Sequence, residues 1–249
     1  MSRKTWGTVR RDRSGHGAPR GRLKLLLLII TAVLILLPAP WIQAYEPSVD
    51  AVIITPTVAC RRTFSMDAAR DIWNSVLDNP CLMAEIWASY GLQPLYTVAG
   101  TATGFHVSDP SGINGDFRQV DRSAHARTFY GTGNFDHWAI PSFFIAHGVI
   151  VLAYSGDGEN LSGEASVFMR GENGISRLVM RLLSGILTRR VGNRIDSTLE
   201  NLETIMRDIA NEPRKVRGCL KGAALRDFDR VFSGMSISGP EGQPPASNE

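Results

Sequence analysis

The sequence contains few of the residues from which metal sites are built. It has three cysteines and five histidines in 249 residues. No Cys-x-x-Cys pair and no His-x-x-x-His pair occurs, so the chain carries no zinc motif. We therefore expect no metal ion. Cys60, Cys81 and Cys219 would either form one disulfide in an oxidising compartment or remain buried thiols, and their spacing does not choose between these states.

Two other chemical signatures are also absent. The glycines around residues 100–133 do not form Gly-x-Gly-x-x-Gly between a strand and a helix, which argues against nucleotide binding. Ser142, Ser155 and Ser162 lack the Gly-x-Ser-x-Gly context of a hydrolase. We therefore expect no cofactor, and we interpret the glycines as turns, bulges and points of sheet curvature.

The net positive charge of the chain comes from its first 24 residues. The net charge is +3, but residues 1–24 contain eight basic residues and one acid, which gives +7 there. Residues 25–249 therefore sum to 3 − 7 = −4. A nucleic-acid-binding domain needs a basic face, so we expect no nucleic-acid partner.

An apolar run follows the basic arm, at residues 25–37, and Trp41 and Ile42 extend it beyond two prolines. A basic flank before such a run is typical of a signal peptide or an uncleaved anchor, and these alternatives stay open. We predict that residues 25–44 are one or the other, with membrane contact through residues 25–42. The domain would then be anchored outside the cytoplasmic membrane, or periplasmic or secreted after cleavage near Ala44.

The first part of the domain is predicted to contain one strand and two helices. Residues 45–51 are interpreted as a linker, and a strand is expected over residues 52–64. Helices are expected over residues 68–77 and 80–90, separated by the breaker Asp78-Asn79-Pro80.

A series of strands is predicted next. Short apolar or β-branched segments separated by turns occupy residues 94–154. The turn at residues 156–160 indicates a hairpin. Residues 161–170 alternate between apolar and polar side chains, which is typical of a strand with one buried face.

A long amphipathic helix is predicted over residues 174–210, because apolar side chains recur there with a 3.6-residue period. We interpret five arginines on it, at positions 177, 181, 189, 190 and 194, as a solvated face or as contacts to anionic lipid headgroups. Residues 213–249 are expected to be a mostly disordered tail, with a short helix near residues 223–232.

This order of elements resembles the START-like helix-grip superfamily, which includes polyketide cyclases and birch-pollen-allergen-like proteins. The resemblance covers about residues 52–211. It depends on the order of the elements, on the first helix beginning Ala68-Ala69-Arg70, and on the Asp78-Asn79-Pro80 break. It implies an α+β fold over residues 52–212, in which a curved antiparallel sheet wraps around the C-terminal helix. It also implies an apolar cavity between the sheet and the helix.

We expect aromatic side chains to line that cavity, since many occur in the helices and strands that would face it. Gly185 is included because a glycine inside a helix is costly unless something approaches it closely. The candidate cavity residues are Trp87, Tyr96, Phe105, Phe117, Phe129, Trp138, Phe144, Leu182 and Gly185.

The leading functional hypothesis is binding, without catalysis, of a lipid or another apolar small molecule. The first alternative is an enzyme of cyclase or dehydratase type, with His125, His137 or Asp136 as acid or base. The second is an interaction module whose core is filled. The sequence indicates neither a specific ligand nor an oligomeric state.

Overall fold

The structure is a computed structural model, and it describes residues 47–110, 112–135, 145–158 and 160–233. The predicted basic arm and apolar segment, residues 1–44, lie outside these ranges. Within the described residues, no helix has both the length and the apolarity needed to span a membrane.

The described chain forms seven helices and seven strands. The helices are α1 Val49–Ile54, α2 Arg70–Asp78, α3 Pro80–Ser89, α4 Gly174–Leu182, α5 Ser184–Asn211, α6 Pro213–Cys219 and α7 Gly222–Phe232. The strands are β1 Val58–Asp67, β2 Thr97–Gly100, β3 Phe105–Ser108, β4 Ile113–Arg122, β5 Ala126–Phe135, β6 Ile145–Asp157 and β7 Asn160–Gly171.

All seven strands belong to one antiparallel sheet, in the order β1-β7-β6-β5-β4-β3-β2. Strands β2 to β7 pair with their neighbours along the chain, and β7 returns to pair with β1. The fold class predicted from the sequence is therefore confirmed: α+β, with two short helices after the first strand and a long helix near the C-terminus.

The sheet curves around α5. Arg62 on β1 forms an ion pair with Asp196 of α5, and Tyr96, the residue before β2, forms a hydrogen bond with Thr198 of the same helix. A flat sheet of seven strands would separate its two edges by roughly 29 Å, at about 4.8 Å per strand spacing. Contacts from both edges to one stretch of a single helix therefore require a strongly curved sheet.

The predicted start of the first strand is wrong. Residues 49–54 form a helix, capped by Ser48, whose side chain accepts a hydrogen bond from the backbone N–H of Ala51. The strand begins only at Val58. Val52 is fully buried against Tyr130, Val149 and Phe168 on the outer side of the sheet, so packing rather than local propensity determines its conformation.

The predicted terminal helix is divided in two. A break at Leu183 separates α4 from α5, and the Leu183 carbonyl accepts from the backbone N–H groups of both Ile186 and Leu187. The apolar period continues across this break, which is why the pattern predicted one helix.

The predicted tail is part of the packed unit as far as Phe232. Helices α6 and α7 bury Val216, Phe228 and Phe232 in the largest hydrophobic cluster of the described residues, together with α2, α3 and the end of α5. The short helix predicted near residues 223–232 is present as α7, but the interpretation of a mostly disordered tail did not include its packing against the core. Residues 234–249 lie outside the described ranges.

Replacing Phe228 by alanine tests whether α7 is part of the core. Phe228 is 3% exposed, and its ring packs at a tilt against Phe232 with ring centroids 4.9 Å apart. We expect the Phe228→Ala change to lower the free energy of unfolding by about 3 to 5 kcal/mol. Chemical denaturation of the full chain measures this loss. The exposed neighbour Arg226 provides the control, and an Arg226→Ala change should have an effect within about 0.5 kcal/mol. Equal stabilities of the two variants would contradict the packing of α7.

Candidate ligand-binding site

One face of the sheet is directed at α5, and we call it the concave face. The strand register aligns Cys60, Val167, Ile150 and Phe129 across β1, β7, β6 and β5, so their side chains share that face. A Cβ added at Gly192 of α5 would lie 3.4 Å from Cys60 Sγ, which identifies this as the face that α5 covers.

Three phenylalanines form an aromatic cluster on the concave face of β3, β4 and β5. The Phe105 and Phe117 rings are nearly parallel, with centroids 5.9 Å apart and planes inclined by 17°. Phe129 meets Phe105 edge-on at 6.0 Å. Such pairs add a geometric preference to simple burial, so the three rings hold one another in place.

Glycines beside this cluster leave part of the concave face without side chains. Gly131 lies opposite Phe117 in the register, and Gly148 lies opposite Gly131 on the next strand. A Cβ at Gly131 would collide with the Phe117 ring, so the ring lies across the bare backbone there. At Gly148, an added Cβ would meet no atom of the described residues nearer than Phe168 O at 4.0 Å. The concave surface at Gly148 therefore has room for another group.

The middle of the concave face is not closely packed against α5. Cys60 and Phe129 are buried, but several other apolar side chains there are half-buried and belong to none of the three hydrophobic clusters formed by the described residues. We call this set the central strip; it comprises Phe105, Phe117, Ile150, Val167, Val191 and Ile195. Protein interiors are normally packed to the density of organic crystals. Half-buried apolar side chains between two well-packed regions therefore indicate space that the described chain does not fill.

Two polar contacts hold α5 over the central strip. On the β1 side, Arg62 Nε donates to both Asp196 carboxylate oxygens, at 2.9 and 3.1 Å. On the β2 side, an Arg194 guanidinium N–H donates to Asp109. Val191 and Ile195 lie on the helix surface between these two contacts, as expected from a rotation of about 100° per residue.

The Asp109 carboxylate is well placed to anchor the helix. Its side chain is only 1% exposed, and it also accepts a hydrogen bond from the backbone N–H of Ile113 at 3.2 Å. Arg194 lies over the Tyr96 ring, with its guanidinium carbon 5.6 Å from the ring centroid. Burial raises the pKa of the Tyr96 hydroxyl, although its hydrogen bond with Thr198 and the charge of Arg194 act in the opposite direction. The hydroxyl therefore remains protonated at neutral pH.

The predicted cavity residues lie in different parts of the structure. It brings Phe105, Phe117 and Phe129 together, as described. Trp87 is buried in the large cluster; its indole N–H donates to the Pro94 carbonyl at 2.8 Å, and its ring meets Tyr96 edge-on.

Leu182 and Gly185 do not join the aromatic cluster. Leu182 is 57% exposed at the end of α4, and a Cβ at Gly185 would lie more than 4 Å from every atom that the structure describes outside its own helix backbone. The apolar period predicted that both would face inward, but Met180, Val179 and Leu187 form the inner side of this segment, and Leu182 lies on the opposite side. Trp138 and Phe144 lie outside the described residues.

Within the described residues, none of the predicted acid–base candidates lies on the concave face. His125 lies exposed in the turn between β4 and β5. His137 and Asp136 are outside the described ranges. Along the described strands, no Asp, Glu or His occupies a concave-face position. The same residues contain no cluster of His, Cys, Asp or Glu arranged for a metal ion.

The Arg194–Asp109 ion pair was not predicted from the sequence. Arg194 was interpreted as solvated or as facing lipid headgroups. The two residues are 85 positions apart, and each lies in an unremarkable local context. The burial and contacts of Arg127 were also not predicted. Its guanidinium donates hydrogen bonds to Asn74 Oδ1 at 2.9 Å and to Asp78 Oδ1 at 3.3 Å. Tyr154 donates to the same Asn74 oxygen, so this network joins α2 to β5 and β6.

Comparison with known proteins leaves the family undetermined. No protein-family model and no curated protein matches the chain. Among solved structures, norcoclaurine synthase from Thalictrum flavum is 11% identical, with a TM-score of 0.42 over 68% of this chain and 97% of its own. A conserved protein from Geobacillus kaustophilus is 9% identical, with a TM-score of 0.42 over 60% of this chain and 95% of its own.

A hypothetical protein from Helicobacter pylori is 7% identical, with a TM-score of 0.44 over 68% of this chain and 99% of its own. Scores at this level carry no argument about function. The fold class rests on the strand order of the chain itself, and membership of the START-like superfamily stays a prediction.

A double-mutant cycle tests the contact on the β2 side. We expect Arg194→Leu and Asp109→Asn to show a coupling energy of about 1 to 3 kcal/mol in chemical denaturation, because the pair is largely shielded from water. Arg190 is exposed on the same helix and is the matched control. Arg190→Leu should not couple to Asp109→Asn. Additive effects of the Arg194 and Asp109 changes would show that the contact does not hold the helix.

Proposed function

We propose that the protein binds an apolar small molecule or a lipid in the hollow between the central strip and α5. The observation that carries this proposal is the incomplete burial of the central strip. Packed clusters lie at both ends of it, yet Ile150 and Val167 on the sheet and Ile195 on the helix stay half-buried.

The chemistry of the lining supports an apolar ligand. Filling the hollow would remove the exposed parts of these side chains from water, at about 25 cal/mol for each Å² covered. The arginines on the concave face of the described strands already have partners: Arg62 is paired with Asp196, and Arg122 and Arg127 are paired with Asp78. The described strands therefore offer the ligand no free charge.

The location of this activity is part of the proposal. The basic arm and the apolar run at residues 25–44 support a domain that lies outside the cytoplasmic membrane, either anchored or released. Such a domain would meet lipids directly. Catalysis in the same hollow would depend on Asp136 and His137, and no contact of the described residues favours it.

A leucine at position 148 tests the proposal. Gly148 lies in the central part of the sheet, and a Cβ added there would project from the concave face with Phe168 O, at 4.0 Å, as its nearest neighbour among the described residues. We expect the purified full chain to retain an apolar molecule at about one per chain, and the Gly148→Leu variant to retain about tenfold less. Mass spectrometry of organic extracts from both proteins measures the difference.

Ala153→Leu is the matched control. Ala153 lies on the same strand, but on the outer face of the sheet, and it is exposed. This variant should retain the molecule as the unchanged chain does, which separates binding in the hollow from lipid that adheres to an apolar segment. Equal retention by a folded Gly148→Leu variant, or no retained molecule in any of the three proteins, would contradict the proposal.

A further inference from the structure

An apolar stripe lies on the outer surface of α4 and the start of α5. Leu178, Leu182 and Ile186 are 51%, 57% and 58% exposed. They are four residues apart, so they lie on successive turns along one side of the helical segment. Large apolar side chains are usually exposed singly, whereas three in a row indicate an interaction surface.

The charges around this stripe have one sign. The segment from Gly174 to Arg194 contains five arginines and no Asp or Glu. Three of them, Arg181, Arg189 and Arg190, are exposed. At about 100° per residue, Arg181 and Arg190 flank the apolar side chains on opposite sides, and Arg189 follows them along the same side of the helix.

The segment is already ordered by packing on its inner side. Met180 is fully buried with Val58 and Ala146, and Val179 and Leu187 pack against the same cluster. The outer side chains therefore project from a fixed helix, and binding through them would not require a folding step.

We propose that Leu178, Leu182 and Ile186, with Arg181, Arg189 and Arg190, dock the domain on an anionic lipid bilayer. The apolar side chains enter the boundary between headgroups and acyl chains, and the guanidinium groups contact lipid phosphates. A second copy of the same surface is a poor partner, because a symmetric pair would bring the exposed arginines of both chains together without counter-ions. This docking is independent of the proposed function.

Hydrogen exchange of the full chain tests the docking. The chain is mixed with vesicles of phosphatidylcholine alone or of phosphatidylcholine containing phosphatidylglycerol. The predicted apolar segment at residues 25–44 would attach the chain to either vesicle, so the readout must be local. We expect amide exchange in residues 174–190 to slow by about tenfold on the anionic vesicles only.

Charge reversal supplies the matched comparison. The variant Arg181→Glu, Arg189→Glu, Arg190→Glu should lose this protection. A variant with the same charge change at exposed positions elsewhere, Arg207→Glu, Arg214→Glu, Arg226→Glu, should keep it. The proposal is overturned if exchange is the same on both vesicles or if both variants behave alike. It is also overturned if protection depends on protein concentration without lipid, since the occupant is then a second copy.

Discussion

The structure depends on the contact of both sheet edges with one short stretch of α5. Arg62 from β1 and Tyr96 beside β2 reach Asp196 and Thr198, which are two residues apart. This constraint forces the sheet to curve and fixes the distance between its middle strands and the helix. The central strip lies between the sheet and the helix, and the described residues leave its side chains half-buried. The hollow that we propose there would thus be a consequence of how the helix is held, and not of any single lining residue.

Polar and apolar contacts hold different parts of the helical layer on the sheet. Hydrophobic clusters secure the two ends of the helical layer: α2, α3, α6 and α7 pack around the end of α5, and α4 packs on the start of β1. Ion pairs hold the stretch between them. The partly exposed Asp196 carboxylate accepts hydrogen bonds from Arg62, and the buried Asp109 carboxylate accepts one from Arg194. On the β1 side the helix approaches the sheet closely, since a Cβ added at Gly192 would collide with the Arg62 guanidinium.

Local patterns in the sequence predicted much of the fold but only part of the site. Alternation identified β7, and the 3.6-residue period identified the long helix, because both report a buried face directly. Phe105, Phe117 and Phe129 were predicted to line the interior, and the register places them together. Helix α1 was missed because its apolar residues suit a strand equally well. The Arg194–Asp109 pair was missed because it joins distant segments. Leu182 was misplaced because apolar residues occur on both the inner and the outer side of this helical segment.

The most direct test of the hollow is a crystal structure of the full chain under xenon pressure, since xenon enters apolar cavities in proteins. The account predicts xenon, or a retained apolar molecule, among Phe117, Ile150 and Ile195. Direct van der Waals contact between the sheet and helix side chains of the central strip, with neither xenon nor ligand between them, would contradict it.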